Sequence, residues 1–215
     1  MKGEGPFPPE IQFRAARPED VDAVVPLIYS SGPAAFDYVF DQGQPGGAPA
    51  FLRHAYCRGD GEFGFRNHEV AVSAGSVVAA GAAFDSRRVL AFTVAGALQI
   101  LSYFGPLRAW PVIVRGLRTE TIIRPPRSGE YYLCHLGVSP ELRSRGLGAS
   151  LVAHLLGRAG RPLHRVATLD VAVTNPRAQA LYARLGFVVT TARPSSLVSR
   201  YGAVPGHHRM GLPIR

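Results

Sequence analysis

The C-terminal half of the chain alternates between apolar runs with the period of a strand and apolar runs with the period of a helix. In chain order, the pattern predicts a strand at Tyr131–Val138, a helix at Gly146–Arg158, a strand at Ala167–Val173, a helix at Pro176–Leu185, a strand from Phe187 and a last strand near His208–Leu212. Strands that alternate with helices are typical of α/β proteins.

The N-terminal half contains shorter elements separated by Gly and Pro. The predicted elements are a strand at Ile11–Ala16, a helix opened by Pro18, two short helices at Ser31–Phe40 and Pro49–Cys57, and two strands at Glu69–Ser73 and Val77–Phe84. Ala74 and Gly75 join the last two strands, which indicates a hairpin.

A helical pattern occupies the middle of the chain from Ser86 to Ile123, with breaks at Gly105, Pro106 and Pro111. Its most apolar part, Val89–Phe104, is shorter than the roughly 18 to 20 residues that cross a bilayer. We therefore expect a buried helix and no membrane partner.

Composition and charge narrow the class of protein. A chain of 215 residues with 47% hydrophobic residues is long enough for one core, so we expect a single domain at 1–215 with a loose arm at 1–10. The net charge is +9, but the arginines are scattered, which favours an anionic small molecule over nucleic acid as the binding partner.

Two cysteines form neither a disulfide framework nor a zinc motif, and the N-terminus MKGEGPFPPE lacks the apolar run of a signal peptide. We expect a cytoplasmic protein without a metal.

The segment LGVSPELRSRGLG joins a predicted strand to a predicted helix through a loop rich in Arg and Gly. Backbone N–H groups at a helix N-terminus have no intrahelical partner, so such a loop can bind a phosphate or pyrophosphate. Leu151 stands where a dinucleotide fingerprint needs its third glycine, and a P-loop lysine is missing because Lys2 is the only lysine. Neither of those two phosphate-binding motifs fits.

Together with the later block TNPRAQALYARLGF, this loop resembles the GNAT superfamily of N-acetyltransferases. The resemblance covers residues 131–187, which it implies are the acyl-CoA-binding core. It implies an α/β (α+β) fold with a mixed, mostly antiparallel central sheet, a splay between the two middle strands, helices on both faces and a helical insertion at about 86–123.

The same resemblance implies roles for individual residues. The cofactor, acetyl-CoA, would contact the pantetheine-lining residues Leu136, Gly137 and Val138, the pyrophosphate loop Arg143, Ser144, Arg145, Gly146, Leu147, Gly148 and Ala149, and the residues Asn175 and Tyr182. Tyr182 matches the tyrosine that protonates the departing thiolate. A phenol with a pKa near 10 suits that role, although helical spacing also allows Tyr182 to pack and Asn175 to cap a helix.

The general base is the point where the sequence departs from the family pattern. Tyr132 stands where many members have Glu or His, so Glu130 and His68 are the candidate bases. Strand alternation predicts that Glu130, Tyr132 and Cys134 share one face and that His135 lies on the other, although a bulge would change this. An acyl-cysteine intermediate on Cys134 is a further alternative.

The amine acceptor would enter beside Ser31, Asp37 and Tyr38, with Tyr132 as a further contact. The resemblance implies transfer of an acetyl group to a primary amine of a small molecule or peptide by direct attack, and a regulatory module that binds acyl-CoA without efficient transfer is the alternative. The insertion would roof the acceptor site or form a homodimer contact, and the sequence leaves both open.

Overall fold

The computed structural model describes residues 10–160, 163–200 and 202–214. The helices are α1 Val21–Ser30, α2 Pro33–Phe40, α3 Gly47–Arg58, α4 Ser86–Thr119, α5 Leu147–Gly157 and α6 Pro176–Arg184. The strands are β1 Gln12–Ala15, β2 His68–Ser73, β3 Ser76–Asp85, β4 Glu130–Val138, β5 Val166–Ala172, β6 Val188–Arg193, β7 Val198–Ser199, β8 Gly202–Ala203 and β9 His207–Pro213. The predicted loose arm lies outside the described residues except for Glu10.

Seven strands form one sheet in the order β1-β2-β3-β4-β5-β9-β6, and β7 and β8 form a separate hairpin. Within the large sheet β4 and β5 are parallel, and the other neighbouring pairs are antiparallel. The parallel pairing joins only residues 130–132 of β4 to residues 166–168 of β5. Beyond Tyr132 the two strands diverge, which confirms the predicted mixed sheet with a splay in its middle.

Helices cover both faces of this sheet because alternate side chains of its strands point in opposite directions. On one face, Val70 and Ala80 pack in a cluster with α1, α2 and α3. On the other face, Ala71 and Ala79 pack with α5 and with Tyr182 of α6. The predicted placement of helices on both faces is confirmed.

The helix α4 is broken at Gly105, which has φ 72° and ψ 167°, and the predicted break there is confirmed. Asp85 caps its first turn by accepting a hydrogen bond from the backbone N–H of Arg87 at 3.0 Å. The prediction that Val89–Phe104 is a buried helix is wrong. Within α4 only Gln99, Ala109 and Val112 are buried, because the helix packs on α2 and α3 through one narrow face. Among the described residues, α4 is also the one helix long and apolar enough to span a bilayer by length and composition.

Candidate active site

A bulge in β4 lies beside the splay. Cys134 pairs with Ala82 and Gly137 pairs with Ala80, so two residues of β4 stand opposite Gly81 alone. His135, one of the two, has φ 54°. A Cβ at Gly81 would lie 2.8 Å from Leu136 Cδ2, so glycine gives the bulged strand and the Leu136 side chain room at this position.

The bulge brings Cys134 and His135 to the same side of the strand. Their Sγ and imidazole nitrogen lie with a carboxylate oxygen of Glu62, all within 4.8 Å of one another. The prediction from strict alternation, which put His135 on the face opposite Cys134, is therefore wrong because the extra residue shifts the alternation by one position.

His68, His135 and Glu62 lie next to one another at this point, and a hydrogen bond joins the two histidines. His68 Nδ1 lies 2.9 Å from the carbonyl oxygen of Gly64, and His68 Nε2 lies 3.2 Å from His135 Nδ1. His135 Nε2 lies 3.5 Å from Glu62 Oε1. A carbonyl oxygen only accepts, so His68 donates from Nδ1 and accepts at Nε2, and His135 Nδ1 is the donor. This assignment leaves Nε2 of a neutral His135 as a proton acceptor.

Burial fixes the protonation of His68 and of Cys134 at this point. Burial, with a smaller contribution from His135, lowers the pKa of His68 to about 3, so His68 is neutral at physiological pH. Burial also raises the pKa of the Cys134 thiol well above its ordinary value. Phe63 stacks on the His135 ring with centroids 5.1 Å apart, and Phe36 of α2 lies on the same ring at 6.1 Å.

The Arg- and Gly-rich loop follows the C-terminal end of β4 and leads into α5. The first helical hydrogen bond runs from Ser150 N to Gly146 O at 3.1 Å, so the N–H groups of residues 147–149 have no intrahelical partner. Gly146 has φ 84°, and a Cβ there would meet nothing within 4 Å. The loop therefore presents free donors beside open space.

Other side chains of the loop are partly fixed. Arg143 Nε donates to the carbonyl oxygen of Val138 at 3.1 Å, and Arg177 of α6 donates to Ser144 Oγ at 2.5 Å. Arg145 is exposed. A Cβ on Gly148 would lie 3.1 Å from Leu181 Cδ2 and 3.9 Å from Val138 Cγ2. The end of β4, the start of α5 and the helix α6 therefore meet at Gly148.

Tyr182 lies on α6, one residue after Leu181. It is buried, its ring packs edge to face on Phe187 at 6.1 Å, and burial raises its pKa to about 12. Asn175 caps this helix by accepting a hydrogen bond from Ala178 N at 3.1 Å, as its position before Pro176 predicts.

Glu130 and Tyr132 lie at the closed end of the splay in a buried ion network. Glu130 Oε2 accepts hydrogen bonds from Arg127 N and from the side chains of Thr168 and Arg209, at 3.1, 3.4 and 3.3 Å. Tyr132 donates to Asp170 at 3.2 Å. The carboxylate of Asp170 also accepts from Arg209 at 3.0 Å and from Arg193 at 3.3 Å.

The residues predicted to border the acceptor occupy different environments on α1 and α2. Ser31 is exposed and donates to Ile28 O at 2.7 Å, whereas Tyr38 is buried in the core. Asp37 accepts hydrogen bonds from the Tyr29 hydroxyl at 3.1 and 2.9 Å. Phe36, which sequence reasoning did not single out, is the residue of α2 that packs on His135.

Sequence reasoning also missed Glu62 and His135 as a pair. Glu62 is separated from β4 by two strands and a long helix along the chain, so no local pattern joins them. The glycine at position 81 is the one sequence signal of the bulge, because glycine within a strand pattern indicates a bulge or a close approach.

Comparison with known proteins agrees with this geometry. Residues 105–187 match the model of the acetyltransferase (GNAT) family. This segment of the chain is therefore similar to the GNAT acetyltransferase family. The matched GNAT segment includes all of β4, the loop, α5, β5 and α6, and thus the proposed cofactor residues and Tyr182.

One curated relative is the 5-NmdU N-acetyltransferase of Pseudomonas phage PaMx11, which is 40% identical to this chain over 63 residues. That match spans 29% of the chain and 43% of the phage protein. Among solved structures, an N-acetyltransferase from Staphylococcus aureus Mu50 aligns with TM-score 0.68 and 17% identity over 94% of this chain and all of its own. The structure of yncA from Salmonella typhimurium with its cofactor acetyl-CoA aligns with TM-score 0.55 and 16% identity over 96% and 95% of the two chains. At these identities the structural matches show the fold.

Proposed function

We propose that this protein is an N-acetyltransferase that moves an acetyl group from acetyl-CoA to a primary amine of a small molecule or peptide by direct attack. One observation carries the proposal: β4 has the imidazole of His135 on its bulge and, after its C-terminal end, a loop whose backbone N–H groups have no intrahelical partner. The thioester of acetyl-CoA would supply the activated acetyl group.

The residues present fit the cofactor. The free N–H groups of residues 147–149 and the open space over Gly146 suit a pyrophosphate, since a glycine there lets the backbone approach closely. The unpaired edge of β4 beyond Tyr132 would hold the pantetheine arm along Leu136, Gly137 and Val138. The backbone near Leu136 would polarise the acetyl carbonyl.

His135 would act as the general base. Its Nε2 would accept the proton that the amine loses as the N–C bond forms, and the resulting imidazolium would pair with Glu62 at 3.5 Å. His68 would be a positioning residue, because it accepts the Nδ1–H of His135 and so holds the reactive tautomer. This assignment replaces Glu130, whose Oε2 already accepts three hydrogen bonds.

Tyr182 would act as the general acid. As the C–S bond breaks, the phenol would donate its proton to the departing thiolate. Its pKa of about 12 keeps the hydroxyl protonated at physiological pH, which supports this role. The acid and the base would thus complete a net transfer of one proton from the amine to the thiolate.

Direct attack is favoured over an acyl-cysteine intermediate. Burial and the nearby Glu62 carboxylate both raise the pKa of Cys134, and the thiolate, not the thiol, is the nucleophile.

The acceptor would approach His135 past Phe36 and Phe63, and Asp37 on the same helix as Phe36 would attract a cationic amine. We also propose that the protein works in the cytoplasm, as its sequence suggests.

The test combines acetyl-CoA binding with turnover. Thermal unfolding would be measured with and without acetyl-CoA for the wild type, for Gly146→Glu and for Gly75→Glu, followed by thiol release across a panel of amines. Gly75 is a matched control because it also has positive φ and open space, but it lies in the β2–β3 hairpin. At 100 times its Kd, the ligand should stabilise the wild type and Gly75→Glu by about 2.7 kcal/mol, and Gly146→Glu hardly at all.

The outcomes separate the candidate functions. Binding with thiol release supports the proposal. A binding shift without release on any amine of the panel would indicate the regulatory acyl-CoA module instead. An unchanged melting temperature in the wild type would remove the acetyl-CoA site from the proposal.

A further inference from the structure

The helix α4 carries large apolar side chains on its solvent-facing side, along both of its halves. Before Gly105, the exposed residues Leu90, Val94, Leu98 and Leu101 recur at helical spacing on one face. After Gly105, the exposed residues are Leu107, Trp110 and Leu117. Leu107 is 91% exposed, Leu90 is 75% exposed and Trp110 is 70% exposed, so these side chains project fully into solvent. We call these seven residues the α4 apolar face.

The opposite side of α4 is already used for packing. Gln99 is buried and donates to the carbonyl oxygen of Asp60 at 2.8 Å, and Val112 and Ala109 are buried toward the body of the protein. The α4 apolar face therefore cannot turn inward without breaking these contacts. Large apolar side chains that are exposed along most of one helix are typical of an interaction site.

The charges of α4 have a single sign. Arg87, Arg88, Arg108, Arg115 and Arg118 lie within the helix, and the helix has no Asp, Glu or Lys. Arg88, Arg108 and Arg118 are exposed. Acidic residues occur only just outside it, at Asp85, which binds Arg87, and at Glu120.

This charge pattern discriminates between two occupants of the face. A second copy of the chain would bring two faces that carry only positive charge together, and like charges in an interface are unfavourable. Anionic phospholipid headgroups offer the opposite charge, and the acyl boundary below them accepts Leu and Trp side chains.

We propose that the α4 apolar face docks the protein on the surface of an anionic phospholipid bilayer, with α4 lying in the headgroup plane. The helix lies on the surface instead of spanning the bilayer, because the buried contacts of Gln99 and Val112 stay in place only in that orientation. The break at Gly105 lets the two halves of α4 adjust to the surface separately. This proposal replaces the expectation of no membrane partner, which rested on the short length of Val89–Phe104 and on its interruption by Thr93, Gln99 and Ser102.

The experiment is sedimentation of the full chain with two kinds of vesicle, pure phosphatidylcholine and phosphatidylcholine with about one third phosphatidylserine. We expect binding to the mixed vesicles that weakens with added salt. Leu90→Ser with Leu98→Ser should weaken it more than about tenfold, since each leucine loses its apolar burial. Arg108→Gln with Arg118→Gln should weaken it about fivefold for each charge removed.

Matched controls come from exposed residues of other surfaces. Leu163→Ser with Val198→Ser removes two apolar side chains that are also more than half exposed, and Arg165→Gln with Arg184→Gln removes two exposed charges. Both controls should bind like the wild type. Melting temperatures within a few degrees of the wild type would show that each variant is folded.

Other outcomes would overturn the proposal. They are failure of the wild type to bind mixed vesicles, equal binding to both kinds of vesicle, and equal loss in the control variants. Analytical ultracentrifugation tests the second copy directly. A wild-type dimer that the Leu90 and Leu98 substitutions dissociate, without vesicle binding, would assign the face to self-association.

Discussion

His68 and His135 lie ring on ring, with centroids 5.3 Å apart, an interplanar angle of 15° and 3.2 Å between Nε2 of the first and Nδ1 of the second. Both residues are buried, and three of their four ring nitrogens have hydrogen-bond partners. The carbonyl of Gly64 fixes the direction of the two hydrogen bonds, and the carboxylate of Glu62 lies 3.5 Å from the Nε2 of His135 that remains a proton acceptor. The proton acceptor of the candidate site is therefore set by residues from three different segments.

The first prediction concerns His135. In His135→Gln, loss of the base should lower kcat/KM about 10²- to 10⁴-fold, measured by thiol release from acetyl-CoA with an amine found to be a substrate. The acetyl-CoA melting shift should persist, because the loop after β4 is untouched. His54→Gln, which changes a half-buried histidine of α3, is the control and should keep the activity. A loss below threefold in His135→Gln would exclude the base role.

A second prediction tests His68 as a positioning residue. His68→Leu cannot accept the Nδ1–H of His135, so it should lose kcat while KM for acetyl-CoA changes little. His68→Gln presents a carbonyl oxygen that can accept the same hydrogen bond, so it should recover part of the loss. Equal losses in the two variants would instead indicate a packing role, since leucine and glutamine are similar in size.

The third prediction is the pH dependence of stability. The folded pKa of His68, about 3, lies below its ordinary value of 6.5, so between these values the unfolded chain binds a proton that the folded chain does not. Stability from this group is fully present above pH 6.5 and is lost as the pH falls toward 3. The slope should approach about 1.4 kcal/mol per pH unit below pH 6.

Urea unfolding of the wild type and of His68→Gln at pH 7, 6 and 5 measures how much His68 contributes to the pH dependence of the unfolding free energy. The substitution removes the titrating group, so the difference in unfolding free energy between pH 7 and 5 should be smaller in the variant. Parallel pH dependences in the two proteins would show that other groups account for the acid lability.

Tyr182 gives the fourth prediction. Tyr182→Phe should lower kcat about 10²- to 10⁴-fold with an unchanged acetyl-CoA melting shift, because phenylalanine keeps the packing on Phe187 and removes only the proton donor. Tyr131→Phe is a matched control, since Tyr131 is equally buried and burial also raises its pKa. With a pKa of about 12, Tyr182 should cause no loss of activity below pH 10. A tenfold or smaller effect of Tyr182→Phe on kcat would remove the acid role.

Local patterns predicted most of the fold but not the arrangement of the base. The helices and the strands of the large sheet from Tyr131 onward were predicted to within about three residues, because each follows a clear apolar period and ends at Gly, Pro or Asn, whereas the short β7–β8 hairpin was not predicted. His135 was misplaced because strand alternation holds only while the register is regular, and the bulge opposite Gly81 is a property of two paired strands.

The exposure of α4 was unpredictable for a related reason. An apolar run such as Val89–Phe104 has the same composition whether it packs inside the protein or is exposed at the protein surface. Which side of α4 packs on α2 and α3 depends on contacts such as that of Gln99 with Asp60, and these join segments that are distant along the chain. Sequence periodicity identified the helix, and only the tertiary structure showed which side stays exposed.

The last prediction follows from the donors around the proposed base. Thiol, imidazole and carboxylate are the ligand types that Zn²⁺ prefers, and those of Cys134, His135 and Glu62 lie within 4.8 Å of one another. Zn²⁺ added at micromolar concentration should therefore inhibit the proposed acetyl transfer by occupying the lone pair of His135 that the amine proton needs, and a chelator should restore activity. Cys134→Ala should stay active and need about tenfold more Zn²⁺ for half inhibition, whereas Cys57→Ala, at the exposed cysteine, should behave like the wild type. Inhibition that is equal in all three proteins would place the inhibitory ion elsewhere.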